Sequence, residues 1–156
     1  MDTALRPLIN NFGFASNCFV CDPNNAEGLR IPFVRDDDEG VVRAVATLAE
    51  QHSGAPALVH GGVLAALCDD AVAWAAIAFG RRFALVAEMR LSYLLPVPIE
   101  RELTVTGRLI GQHRTQMWLL AEIRIDGAVH VRADARATAM GAELAAGAGV
   151  TAPAGG

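Results

Sequence analysis

Hydrophobic side chains recur with a period of two along most of the second half of the chain. From Phe83 onward, Leu85, Ala87, Met89, Leu91 and Tyr93 share one face of an extended run that ends at Pro96-Val97-Pro98. Leu103, Val105 and Leu109 share one side of the next run, and Thr115, Met117, Leu119, Ala121 and Ile123 share one side of a third. After the turn pair Asp126-Gly127, Val129, Val131, Ala133, Ala135, Ala137 and Ala139 alternate with His130, Arg132, Asp134, Arg136 and Thr138. Alternation of this kind predicts antiparallel strands with one polar face. Nearer the start, Leu29, Ile31 and Phe33 lead into the turn Asp36-Asp37-Asp38-Glu39-Gly40, and Val41 to Leu48 resumes the extended pattern. This predicts a hairpin with a solvated acidic tip.

Roughly Gly62 to Phe79 breaks the period, being apolar on nearly every face, and predicts a helix buried on all sides. Leu5, Leu8, Ile9 and Phe12 follow helical spacing and predict a short amphipathic helix before Gly13. One buried helix with five or six long strands predicts an α+β fold, a curved antiparallel sheet wrapped around a long central helix. An open sheet leaves edges, and continuing the sheet into a second copy would cover one of them, so an oligomer is expected.

Composition narrows the picture. The chain has 156 residues, enough for one domain, and 53% of them are hydrophobic, enough for a sizeable core. The domain is expected over residues 1–141. Residues 142–156, almost all Ala, Gly and Pro, hold only Leu144 and Val150 as large apolar side chains and are expected to be a disordered tail. Thirteen basic against seventeen acidic residues give a net charge of -4, which argues against nucleic-acid and membrane-surface binding. All thirteen basic residues are Arg. The most apolar stretch, Val63 to Phe79, is interrupted by Asp69 and Asp70 and reads as a core helix and not a bilayer span. No secretory signal is visible at the start, so a cytoplasmic location is expected. The Cys18-to-Cys21 spacing suits zinc or redox chemistry, but no second pair accompanies it, so a structural loop and no metal are expected.

The chemistry concentrates in His60-Gly61-Gly62-Val63-Leu64-Ala65-Ala66-Leu67-Cys68-Asp69-Asp70. Two glycines opening a helix leave backbone N–H groups bare at the positive end of its dipole, a place for an oxyanion or a polarised carbonyl. His60 can serve either in the chemistry or simply as the helix cap. An acid inside an apolar helix is held either by hydrogen bonds or for chemistry. Asp69 shares its stripe with Gly62, Ala66, Ala73 and Ala76, all small, whereas Asp70 shares its stripe with Val63, Leu67, Trp74 and Ile77. Phase alone leaves both acids in contention.

Cys18-Phe19-Val20-Cys21 with Gly28-Leu29, His60-Gly61-Gly62, Asp69 nine residues after His60, and Tyr93-Leu94-Leu95-Pro96-Val97-Pro98 together resemble the hotdog-fold acyl-CoA thioesterases. The branch is that of the phenylacetate-pathway and thioesterase-superfamily-member types, and the resemblance covers roughly residues 17–140. It implies a homodimer with shared active sites, which can pair further into a tetramer, an acyl-CoA substrate, and no metal or redox cofactor. A backbone N–H near Gly62 would polarise the thioester carbonyl, with Gly61 and His60 shaping the turn. Asp69 from the partner chain would act as general base or nucleophile. Where the family often carries a hydroxyl residue to orient the attacking water, this chain has Val86; Glu88, expected on the same face, or Ser92 could substitute. Arg90 and Arg114, with Arg81 and Arg82, are candidates for the coenzyme A phosphates. The expected activity is hydrolysis of an acyl-CoA. The alternatives are an acyl-CoA binding module without turnover, kept open by Val86, and a hotdog hydratase or dehydratase, against which the His60-to-Asp69 spacing argues.

Overall fold

A computed structural model describes residues 5–10 and 16–141. One helix, α1 (Gly61–Gly80), lies against a seven-stranded antiparallel sheet built from β1 (Leu5–Pro7), β2 (Val34–Asp36), β3 (Val41–Thr47), β4 (Ala84–Tyr93), β5 (Glu102–His113), β6 (Gln116–Ile125) and β7 (Ala128–Ala139). The strands run in the order β1-β2-β3-β5-β6-β7-β4, so β4, which follows the helix, ends at the edge farthest from β1.

The period-two runs place most of their apolar sets as expected in β6 and β7: Met117, Leu119, Ala121 and Ile123, and Val131, Ala133, Ala135, Ala137 and Ala139, are all buried, whereas Thr115 is exposed in the turn before β6 and Val129 is thrown out of phase by a register shift opposite Ile123 and Arg124. They face Leu67, Cys68, Ala71, Val72, Ala75 and Ala76 of α1, each with no exposed surface. The helix is long and apolar enough to cross a bilayer by composition. Here that character reflects packing against the sheet. The approach is closest at Gly107 of β5, where an added Cβ would sit 2.2 Å from the Ala71 carbonyl oxygen. Only glycine lets the helix backbone lie this near the strand.

Three expectations need correction. The segment around Leu5 and Leu8 is not helical: Leu5–Pro7 pairs with Val34–Asp36 as a short edge strand. The missing N–H of Pro7 and the open edge of β2 outweigh the helical spacing; Phe12 lies outside the described residues, as does the segment 142–156. The face assignment in β4 holds only in part, because the register against β7 shifts between Val86 and Glu88. Ala87 is the extra residue of a β-bulge, so Ala84 and Val86 face the helix before it and Met89 and Leu91 after it. Leu85 is therefore 57% exposed, and Glu88 lies on the opposite face from Val86. Lastly, the acidic tip between β2 and β3 is not wholly solvated. Asp36 is buried, accepting the Glu39 N–H at 3.1 Å and pairing with Arg43 at 3.0 Å, while Asp37 pairs with Arg6 at 2.7 Å.

Candidate active site at the start of the central helix

His60 is the N-cap of α1, with extended backbone (φ -59°, ψ 133°), and its Nδ1 accepts the Gly62 N–H at 2.8 Å. The His60 carbonyl accepts both the Val63 and Leu64 N–H groups, at 3.0 and 3.2 Å. Its own N–H donates to the His52 carbonyl at 2.8 Å, tying the helix start to the preceding turn. The cap thus consumes the Gly62 N–H and leaves that of Gly61, which meets no acceptor among the described residues. The donor available at the positive end of the helix is the Gly61 N–H, immediately beside the position expected from the glycine pair.

Tyr93, at the end of β4, donates its hydroxyl to the Gly61 carbonyl at 2.9 Å. Together with the His60 cap it fixes the Gly61–Gly62 peptide at both ends. Sequence reasoning placed Tyr93 in a motif without giving its hydroxyl a task; the signal was a lone aromatic hydroxyl at the end of a strand that follows the helix. An apolar cleft of about 300 Å³ opens here, lined by Leu58, Leu64, Tyr93, Leu94, Leu95 and Val97 beside Gly61.

The two acids separate cleanly. Asp70 turns toward the loop that precedes β2, where its Oδ1 shares a hydrogen bond with the Cys18 sulfur at 3.2 Å. Burial and the neighbouring Cys18 push the Asp70 carboxyl up to about 8. The hydrogen bond from Cys21 holds the Cys18 thiol down at about 5. Asp69 is exposed on the stripe of small residues, where Gly62, Ala66 and Ala73 also retain exposure. Local crowding, then the nearby Cys18, raise its carboxyl above the ordinary range. Eight residues separate Gly61 from Asp69, about 12 Å of helix rise. An oxyanion donor and a base must both lie about 3 Å from the reacting atoms. One chain alone therefore cannot bring these two groups to one thioester.

The remaining predicted residues lie elsewhere within the chain. Glu88, Arg90 and Ser92 pair across the outer face with Arg136, Asp134 and Arg132 of β7 and point away from the helix. The Arg136 Nε lies 3.6 Å from Glu88. Arg114 sits in the β5–β6 turn, where Arg82 reaches its carbonyl at 3.4 Å, beside the C-terminal end of α1 and so far from Gly61. Val86 faces inward opposite Ala137 and brings no hydroxyl to the site.

Residues 57–131, with the helix start, Asp69 and all of β4 among them, match the model of a family described as the thioesterase superfamily. The chain carries the hotdog fold of that superfamily. A crystallised thioesterase superfamily protein is 32% identical, with a TM-score of 0.71 over 76% of this chain; the present chain spans 58% of that protein's length. The E. coli PaaI protein from the phenylacetic acid degradation operon shares the hotdog fold at 22% identity and a TM-score of 0.64, covering 71% of this chain and 80% of its own. So does a hypothetical thioesterase from Streptococcus pneumoniae TIGR4 crystallised with coenzyme A, at 21% identity and a TM-score of 0.62, with 65% and 82% covered. No curated protein matches the sequence.

Proposed function

We propose that this hotdog protein hydrolyses acyl-CoA thioesters at a site completed by a second copy of the chain. The observation that carries the reading is the Gly61 N–H, left unclaimed by the His60 cap and opening beside an apolar cleft. The superfamily match and the coenzyme A in the Streptococcus pneumoniae structure support the substrate class. In the proposed reaction the acyl chain occupies the cleft and the thioester carbonyl accepts from the Gly61 N–H. Asp69 of the partner subunit takes a proton from water, and the resulting hydroxide adds to the carbonyl carbon. The tetrahedral oxyanion collapses with cleavage of the C–S bond; the coenzyme A thiolate leaves and is protonated, and the acid departs as its carboxylate. Direct attack by Asp69, giving an anhydride that water then opens, uses the same placement.

The test is thiol release over a panel of aliphatic and aromatic acyl-CoAs. Asp69→Ala is expected to lower kcat/KM by about 10²- to 10⁴-fold, the usual worth of a positioned base. Gly61→Pro removes the proposed donor at the one helical position where proline is accommodated, and His60 already has the extended backbone that a following proline requires. It is expected to cost about 10²- to 10³-fold in kcat with the helix retained by circular dichroism. Wild-type rates in either variant would remove that residue from the mechanism. Val86 favours a second reading, an acyl-CoA binding module, and tight coenzyme A binding without thiol release from any member of the panel would establish it.

A further inference from the structure

The loop that crosses the middle of α1 brings two sulfurs of its own to a carboxyl group on the helix, three donors of the kind that ligate metal. The Cys18 and Cys21 sulfurs and one carboxylate oxygen of Asp70 all lie within 4.8 Å of one another. Cys18 and Cys21 flank a turn in which the Cys21 N–H donates to the Cys18 Sγ at 3.3 Å. The Asp22 N–H closes the same turn on the Cys18 carbonyl at 3.2 Å. A backbone N–H aimed at sulfur favours a thiolate, the form that ligates metal. The turn is not free to wander: the Leu29 and Ile31 N–H groups bond the Phe19 and Val20 carbonyls at 2.7 and 2.8 Å, and Val20 is buried. The third donor stands on the rigid helix. Asp70 Oδ2 is buried and has no hydrogen-bond partner among the described residues, an uncompensated polar atom on the same carboxylate that meets the sulfurs.

We infer that Cys18, Cys21 and Asp70 form a binding site for one zinc-class divalent cation, which fastens the N-terminal loop to the central helix. Two sulfurs select zinc over magnesium or calcium, and the carboxylate completes a mixed donor set that zinc accepts. Around zinc bound at about 2.3 Å, tetrahedral sulfurs stand about 3.8 Å apart, a contraction within reach of donors already this close. Three protein ligands leave the fourth position to a water molecule. The cation also supplies the partner that Asp70 Oδ2 lacks. A Cys18–Cys21 disulfide would use the sulfurs and leave that oxygen stranded. The cation site is separate from the thioester chemistry: Asp69, one residue away, faces outward from the helix, and none of the three ligands lines the apolar cleft.

The test is metal content and cobalt spectroscopy on the full-length protein, purified without chelators and without a histidine tag. The expected result is about one zinc per chain by mass spectrometry, replaced after chelation by cobalt(II) with thiolate-to-cobalt charge-transfer absorption and tetrahedral bands. Cys21→Ser is expected to abolish the charge-transfer band or halve it, Asp70→Asn to weaken cobalt binding at least tenfold, and Cys68→Ala to leave both unchanged. Circular dichroism identifies a variant that has not folded, in which case the wild-type titration decides. The inference is overturned if reduced wild-type protein holds no stoichiometric zinc and gives no cobalt charge transfer. It is equally overturned if Asp70→Asn binds cobalt as tightly as wild type, or if Cys68→Ala is the variant that loses it.

Discussion

One side chain packed on the helix start and one in a hairpin carry consequences that a single substitution can expose. Tyr93 donates to the Gly61 carbonyl and so positions the peptide next to the proposed oxyanion donor, without touching the reacting atoms. Removing a net hydrogen bond of about 1 kcal/mol gives Tyr93→Phe a kcat lower by about fivefold with KM nearly unchanged. An unchanged kcat would show that the His60 cap alone fixes the turn. In the β2–β3 hairpin, the Glu39 N–H and then Arg43 hold the Asp36 carboxyl below its ordinary range. Its folded value lies under the unfolded value of about 3.9, so the stabilisation is fully present above that pH. It disappears as the pH falls through the folded value. Asp36→Asn is expected to lower the melting temperature at neutral pH and to flatten the acid limb of stability against pH; parallel acid limbs in the two proteins would count against the assignment. The choice between Asp69 and Asp70 marks what a sequence leaves undecided at this scale. Helical phase put both on plausible faces, and the deciding partner of Asp70, Cys18, lies 52 positions away along the chain.

At the scale of elements, the alternation in β6 and β7 and the uniform apolarity of α1 were legible because burial on one face, or on all faces, dictates residue type directly. The bulge in β4 was not, since an extra residue changes nothing in local propensity and shows only when β7 is laid alongside. The strand at Leu5–Pro7 was missed for a related reason: three residues carry too little periodicity, and their partner Val34–Asp36 lies far off in sequence. Gly107 is the converse, a position whose meaning emerges only in contact. It interrupts the apolar face of β5 with a residue that contributes no burial of its own, and the Ala71 carbonyl occupies the space a methyl group would need. Gly107→Ala must push the helix off the sheet or distort the strand, a cost of about 3 kcal/mol at the upper end of ordinary overpacking. Chemical denaturation read by circular dichroism measures it, and a change below about 0.5 kcal/mol would mean that the helix shifts freely at this crossing.

For the molecule as a whole, the proposed pairing of Gly61 with Asp69, set apart along one helix, would make activity a property of an assembly. Static light scattering is expected to return at least a dimer. Mixing inactive Gly61→Pro protein with inactive Asp69→Ala protein should restore part of the activity, because each hybrid dimer contains one site with both wild-type groups. A monomer, or no recovery after subunit exchange is verified, would sink the shared site. The two ends of the sheet differ in what they offer to a second copy. The β1 edge is three residues long, whereas β4 runs for ten and leaves Leu85 and Tyr93 exposed, followed by Leu94 and Leu95. A long edge of that kind invites indiscriminate pairing with any extended chain, the beginning of aggregation. Ala87 supplies a safeguard. A strand carrying one surplus residue bends and twists there, so an intruder with uniform alternation meets its hydrogen-bonding groups in step on one side of Ala87 and out of step on the other. The bulge thus guards the sheet edge: a chain lacking Ala87 would retain its inward and outward faces and offer an edge that a regular strand could follow throughout.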